Sequence, residues 1–219
     1  MAPVTSLPEP FDPPLGFAMG RGFCRMVLED LFFFRARGVG HIPRSGGCLL
    51  VANHASFLDP PAVACGAERC CYSFARKSLY GPRFFGWLFG KFLTIPVDRD
   101  GGNDLAALRE VLRLLAAGQC VLVFPEGTRT ADGTLQIARR GVGMLAARAA
   151  VPVVPARIFG SYDAWNRHRR WPRWFHPVRV IYGPPLLPRH YDPGASHPNR
   201  YQSIADFFLR CVAALQLEN

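Results

Sequence analysis

The 219-residue sequence predicts an α/β fold: a mostly parallel central sheet flanked by helices, with an N-terminal amphipathic helix. Six short apolar runs carry that expectation: 48–52, 71–75, 93–97, 120–124, 153–159 and 178–182. Each has strand length and is bounded by Gly, Pro or charge. Helical patterns lie between several of them, and strands alternating with helices build a parallel sheet with helical crossovers. Hydrophobic residues make up 49% and charged residues 19%, so the chain can bury a real core and is too apolar to be disordered.

In chain order, residues 1–14 contain five Pro and read as an irregular arm. Residues 15–34 read as an amphipathic helix ending in Leu31-Phe32-Phe33-Phe34, which divides the chain into an N-terminal arm and interfacial helix (1–34) and a main domain (35–219). Asp59-Pro60-Pro61 reads as a helix start, with Asp as the cap and Pro in the first turn. Over 104–117, Leu105, Leu108, Val111, Leu112 and Leu115 share a face, Asn103 is a candidate N-cap and Gly118 a stop. Residues 140–150 and 199–216 complete the helices.

The net charge is +10, and 24 of the 26 basic residues are Arg. That surplus favours anionic partners: nucleic acid, phosphate-bearing substrates or an acidic membrane. No zinc-finger spacing, basic region with heptads or clear RNP sequence is present, so nucleic acid is not the expected partner. The seven Cys are odd in number and contain no C-x-x-C, which predicts reduced packing thiols, no structural zinc and a cytoplasmic setting. The start MAPVTSLPEPFDPP lacks a signal-peptide pattern, and no stretch of about 18 apolar residues is free of charge. The expected membrane attachment is therefore peripheral.

Two loops carry the chemistry. Asn53-His54-Ala55-Ser56-Phe57-Leu58-Asp59 follows the run 48–52. If the loop folds back, the Asp59 carboxylate takes the Nδ1 proton of His54 and leaves Nε2 to accept a hydroxyl proton. The competing reading is a helix-capping Asp beside an ordinary loop His. Phe124-Pro125-Glu126-Gly127-Thr128-Arg129-Thr130 follows the run 120–124. Gly127 frees the turn, and two Thr hydroxyls with Arg129 suit an anionic oxygen ligand. The competing reading is a solvated turn. Gly141-Val142-Gly143-Met144-Leu145-Ala146 fits G-x-G-x-x-A, but no strand precedes it, so a dinucleotide loop is disfavoured. The vicinal Cys70-Cys71 reads as packing, and no G-x-S-x-G is present for a serine acyl-enzyme.

H-x4-D followed by F-P-E-G-T-R resembles the signature blocks of the glycerolipid acyltransferases, in particular the lysophosphatidate (1-acyl-sn-glycerol-3-phosphate) acyltransferase family. Ile95-Pro96-Val97-Asp98-Arg99 resembles the family's second block and Val151-Pro152-Val153-Val154-Pro155 its fourth; all four stand in family order across roughly residues 35–185. The resemblance implies a base, His54, oriented by Asp59, and transfer of a fatty acyl group from acyl-CoA or acyl carrier protein to the sn-2 hydroxyl of lysophosphatidate. It implies that Arg99, Glu126, Gly127, Thr128 and Arg129 bind the acceptor's glycerol phosphate, with Arg139, Arg140 and Lys77 at frequently basic positions. It calls for no metal and no cofactor beyond the acyl donor. Rival expectations are the same chemistry on another lyso-lipid or on glycerol 3-phosphate, and a non-catalytic basic module binding lipid headgroups or nucleic acid.

Residues 165–175 hold three of the four Trp with four Arg and no acid. With helix 15–34, this loop is the expected membrane contact, Trp at headgroup depth and Arg beside lipid phosphate, on the cytoplasmic face of the cell membrane.

Overall fold

The computed structural model describes residues 15–76, 94–97 and 104–217. Seven strands form one sheet: β1 (Arg35–Arg37), β2 (Cys48–Ala52), β3 (Cys71–Arg76), β4 (Thr94–Val97), β5 (Cys120–Val123), β6 (Val153–Phe159) and β7 (Arg179–Tyr182). Their order is β1-β7-β6-β2-β5-β3-β4. All pairings are parallel except β6 with β7. The helices are α1 (Leu15–Phe32), α2 (Asp59–Gly66), α3 (Asp104–Ala116), α4 (Arg140–Ala149), α5 (Ser161–Trp165), α6 (Pro188–Tyr191) and α7 (Arg200–Ala214).

Cys-Leu-Leu-Val-Ala of β2 is buried at every position, as a central strand covered on both faces must be. Side chains alternate across a strand, so the run feeds two cores. Cys48, Leu50 and Ala52 join Cys120 and Leu122 of β5 in a cluster with Leu28 and Phe32 of α1 and Ala62 and Val63 of α2. Leu49 and Val51 join Val121 and Val123 in a second cluster with Val111 and Leu115 of α3, Leu145 of α4 and Phe208 of α7. Both runs that precede the chemical loops are thus clamped side by side, with Val51 opposite Val123. The loops after β2 and β5 therefore leave the sheet as neighbours, at the strand C-termini where α/β sheets place ligands.

Several local expectations change. Asp59 does not cap its helix: Leu58 holds the cap position, and Asp59 is the first helical residue. The apolar end 31–34 is mostly core: Phe32 and Phe34 are buried, and only Phe33 stands half-exposed. The chain turns at Phe33, whose φ is +45°, and this sends its neighbours inward. Helix α1 is therefore packed on the 35–219 body through Leu28 and Phe32. Strand β1, Arg-Ala-Arg, has no apolar run to announce it; it is an edge strand whose two Arg are exposed. The short helices α5 and α6 are also absent from the sequence reading, being too brief to show a period. Gly118 does end α3, with φ +76° and its N–H on the Leu115 carbonyl. The candidate cap Asn103 lies outside the described residues.

The glycine motif in α4 has a packing explanation. A Cβ on Gly143 would fall 1.9 Å from the Tyr201 carbonyl oxygen, so Gly143 lets α4 and α7 pack backbone to backbone. Cys71, the first residue of β3, and Cys70 before it are likewise buried. No described helix is long and apolar enough to cross a membrane.

Candidate active site

Asn53 leaves β2 as a rigid bracket. Its Nδ2 donates to the Ile158 carbonyl (3.1 Å), and its Oδ1 accepts the Ile158 N–H (2.8 Å). The buried amide thus continues the β2–β6 pairing one residue past the strand. The next residue is His54.

Asp59 sits fully buried in the first turn of α2. Its Oδ2 accepts three donors: Ala55 N, Ser56 N and His54 Nδ1, the last two at 2.6 and 2.9 Å. The position also suits an anion because the positive end of the helix dipole lies there. A carboxylate that already accepts two backbone N–H groups is an acceptor, so the proton of the third bond belongs to His54 Nδ1. Among the described residues nothing hydrogen-bonds His54 Nε2, and the side chain keeps 14% of its surface exposed. The His54 ring stacks on Phe124 with centroids 4.0 Å apart and planes 14° apart. The ring is therefore oriented by a charge on one edge and an aromatic face beside it.

The loop after β5 supplies the other wall. Phe124 accepts the Gly127 N–H (3.0 Å), and Gly127 has φ +70°, which closes a tight turn. That turn sends Glu126 inward and leaves Thr128 and Arg129 partly exposed. Glu126 is 2% exposed. Its Oε1 accepts the His54 N–H (2.7 Å), and its Oε2 accepts the Gln136 N–H (3.0 Å). Burial pushes the Glu126 carboxyl up, the two amides pull it down, and the charge of Asp59 pushes it up again.

Arg129 is half-buried, its guanidinium carbon 3.6 Å from the centre of the Phe57 ring. Phe57 is 44% exposed and rests against Trp165, 5.2 Å between centroids. Arg139 is exposed, and its Nε donates to the Glu126 carbonyl (3.2 Å). Arg140, also exposed, begins α4. Arg139, Glu126, Thr130, Asp132 and Gln136 help line a depression of about 570 Å³.

The structure therefore brings His54, Asp59, Glu126, Gly127, Thr128 and Arg129 into one locale, with Arg139 and Arg140 on its margin. Lys77 and Arg99 lie outside the described residues. One expectation changes here: the two Thr hydroxyls do not converge on one ligand. Thr130 is buried, and its hydroxyl donates to Asp132 Oδ1 (2.9 Å). Thr134 donates to the same oxygen, and this pair of hydroxyls with the Thr134 N–H holds the Asp132 carboxyl down at about 2.

Sequence reasoning passed over Asn53, Ser56 and Phe124. Ser56 is fully buried, its Oγ donating to the Trp165 carbonyl (2.6 Å) and accepting the Leu58 N–H (3.0 Å). The available signal was the abrupt change from an apolar strand to a polar pair, Asn53-His54, at a position that must stay close to the core.

A family model described as Acyltransferase matches residues 34–159. The 1-acyl-sn-glycerol-3-phosphate acyltransferase of Pseudomonas aeruginosa is 30% identical, over 70% of this chain and 59% of its own length. The 1-acyl-sn-glycerol-3-phosphate acyltransferase alpha of Homo sapiens is 34% identical, over 68% of this chain and 53% of its own. The crystal structure of the 1-acyl-sn-glycerophosphate (LPA) acyltransferase PlsC from Thermotoga maritima superposes with a TM-score of 0.67 at 25% identity, covering 93% of this chain and 79% of that one. The chain spans about half the length of the curated relatives it matches.

Proposed function

Because this chain belongs to the acyltransferase family, we propose that it is a lysophosphatidate acyltransferase: it moves a fatty acyl group from the thioester of acyl-CoA or acyl carrier protein to the sn-2 hydroxyl of 1-acyl-sn-glycerol 3-phosphate. The observation that carries this reading is the His54–Asp59 pair, with Nδ1 committed to the carboxylate and Nε2 open. A buried charge that only orients a ring is of little use to a binding module; a base needs it.

In this mechanism His54 Nε2 takes the proton of the acceptor hydroxyl as its oxygen attacks the thioester carbonyl. The new C–O bond forms, the C–S bond of the tetrahedral intermediate breaks, and the proton passes from His54 to the departing thiolate. Asp59 stabilises the imidazolium between the two transfers. The hydroxyl attacks directly, so no acyl-enzyme is needed.

The acceptor phosphate is assigned to Arg129, Gly127 and Thr128, with Arg139 and Arg140 at the margin. Lys77 and Arg99 join this set through the family resemblance. Guanidinium groups suit a phosphate because their donors are fixed, planar and always charged.

Both substrates carry acyl chains, so the reading includes peripheral attachment to the cytoplasmic leaflet. The two candidate segments meet: Phe32 packs on Trp174 (5.5 Å) and Phe33 on Phe175 (6.2 Å), while the Phe175 N–H donates to the Leu31 carbonyl (2.7 Å). Trp171 and Trp174 stand at least half-exposed in that loop, and Met19 and Phe23 are exposed farther back along α1. Arg167, Arg169, Arg170 and Arg173 surround the Trp residues, all exposed.

The test offers lysophosphatidate, other lyso-lipids and glycerol 3-phosphate in competition, with each donor in turn. Thiol release is followed, and the lipid products are identified by mass spectrometry. Phosphatidate should dominate. Product from another acceptor would reassign the headgroup, and no thiol release with any acceptor would overturn the reading.

A further inference from the structure

We propose that Glu126 is a positioning residue for His54 rather than a ligand of the acceptor; the inference rests on the acyl-transfer reading above. The family resemblance places Glu126 with the acceptor-binding residues. Its geometry points elsewhere.

A residue that grips a glycerol phosphate must present a polar atom to the substrate. Glu126 contributes to the wall of the depression, but both of its carboxylate oxygens already hold backbone amides, one from His54 and one from Gln136. A phosphate is also a poor partner for a carboxylate, since like charges repel. Thr128 and Arg129 of the same turn, both only partly buried, have the chemistry that an anion needs.

Four restraints hold His54. Asp59 holds Nδ1, and Phe124 flanks the ring. Glu126 holds the backbone N–H, and the Thr130 N–H donates to the His54 carbonyl (2.8 Å). Three of the four come from the segment 124–130, so that segment acts as a splint along the base. Its other amide contact, to Gln136, ties the splint to the loop that lines the depression.

The need for Glu at this position follows from donor and acceptor counting. Two N–H groups converge on one buried side chain. A carboxylate is acceptor-only and satisfies both; a Gln amide turns its NH2 toward one of them and leaves two donors facing each other. Glu126→Gln, conservative in shape, should therefore be disruptive. A shift of about 1 Å in a reacting group is enough to lower turnover about 10²-fold.

The experiment compares wild-type full chain with Glu126→Gln by steady-state kinetics and by amide hydrogen exchange under NMR. The expected result is a kcat lowered about 10²-fold with the lysophosphatidate and donor KM values changed by less than about threefold, the pattern for loss of an interaction realised in the transition state. Exchange should accelerate at His54 and Gln136 while Leu50 and Leu122 in the sheet stay protected. A merely structural lesion would instead loosen the sheet. If Glu126→Gln does not fold, Glu126→Asp, acceptor-only with a shorter arm, should show the same kcat loss at steady KM. The proposal is overturned if lysophosphatidate KM rises about tenfold with kcat kept, or if His54 and Gln136 exchange as in wild type. Absence of acyl transfer by the wild-type protein would defeat the functional reading alone, because the exchange measurement still decides whether Glu126 holds the two amides.

Discussion

The two ends of the sheet are built on opposite principles. At the N-terminal end of the parallel strands, Cys48, Cys120 and Cys71 lie in register on β2, β5 and β3, all buried. Their packing is that of small apolar side chains, and Cys120 together with burial pushes the Cys48 thiol up. The polar element there is Arg69, which donates to the carbonyls of Pro43, Gly46 and Gly118 and closes the loops. At the other end, past the C-termini of β2, β5 and β6, lie seven of the eight buried polar residues among those described: Asn53, Ser56, Asp59, Glu126, Thr130, Ser161 and Asn166; only Ser73 lies elsewhere. A buried polar group costs about 1–3 kcal/mol when unsatisfied, so such crowding signals a purpose other than stability. The lesson is that one end holds the fold together and the other gathers buried polar groups around one imidazole, two of which, Asp59 and Glu126, hydrogen-bond His54 directly.

That contrast breaks most visibly at His54. His54→Ala should lower turnover by between about 10² and 10⁴ while leaving the melting temperature near wild type. Turnover at the wild-type level would remove the base from the mechanism.

The reactive end is also the end expected to meet lipid. Neutralising Arg167, Arg169, Arg170 and Arg173 together should weaken binding to anionic vesicles about 10²-fold at low salt, at about 1 kcal/mol per basic residue with partial screening. Binding to neutral vesicles should change little, and Arg44→Ala at the far end should do nothing. Co-sedimentation at two salt concentrations reads this out. Unchanged sedimentation of the quadruple variant would leave α1 as the remaining contact.

Asp59→Asn sharpens the comparison, because it keeps an acceptor for His54 and removes the charge. Turnover should fall about tenfold or somewhat more. A variant matching wild type would show that the charge of Asp59 is irrelevant to the reaction.

The smallest effect belongs to the structural end. Arg69→Ala leaves three carbonyls without their donor and should destabilise by about 1–3 kcal/mol in urea unfolding. Its kcat should match wild type, since nothing from Arg69 reaches the dyad. A large kcat loss would mean that the two ends are coupled.

How far the sequence reached is seen best at three places. The run CLLVA, flanked by Gly47 and Asn53, read as a strand, and β2 occupies those five residues. The spacing from His54 to Asp59 made their contact possible but left a helix-capping Asp as a competing reading; the family resemblance favoured the pair, and the fold-back of the loop joins them at 2.9 Å. By contrast, Leu31–Phe34 read as the end of one amphipathic helix, although the positive φ at Phe33 sends Phe32 and Phe34 into the core and Phe33 outward.

By itself, then, the sequence determined what repeats or acts locally: strand and helix periods, the H-x4-D pair and the family to which its ordered blocks point. Tertiary structure alone decided the rest. It made β7 run antiparallel to β6, added the charged edge strand β1, and docked α1 on the core. It also turned Glu126 away from the solvent side of its loop and onto the amide of a residue 72 positions earlier. A backbone N–H leaves no mark in the sequence, since all residues but proline carry one. Which amide a buried carboxylate will hold is settled only when two strands pair and their loops emerge side by side.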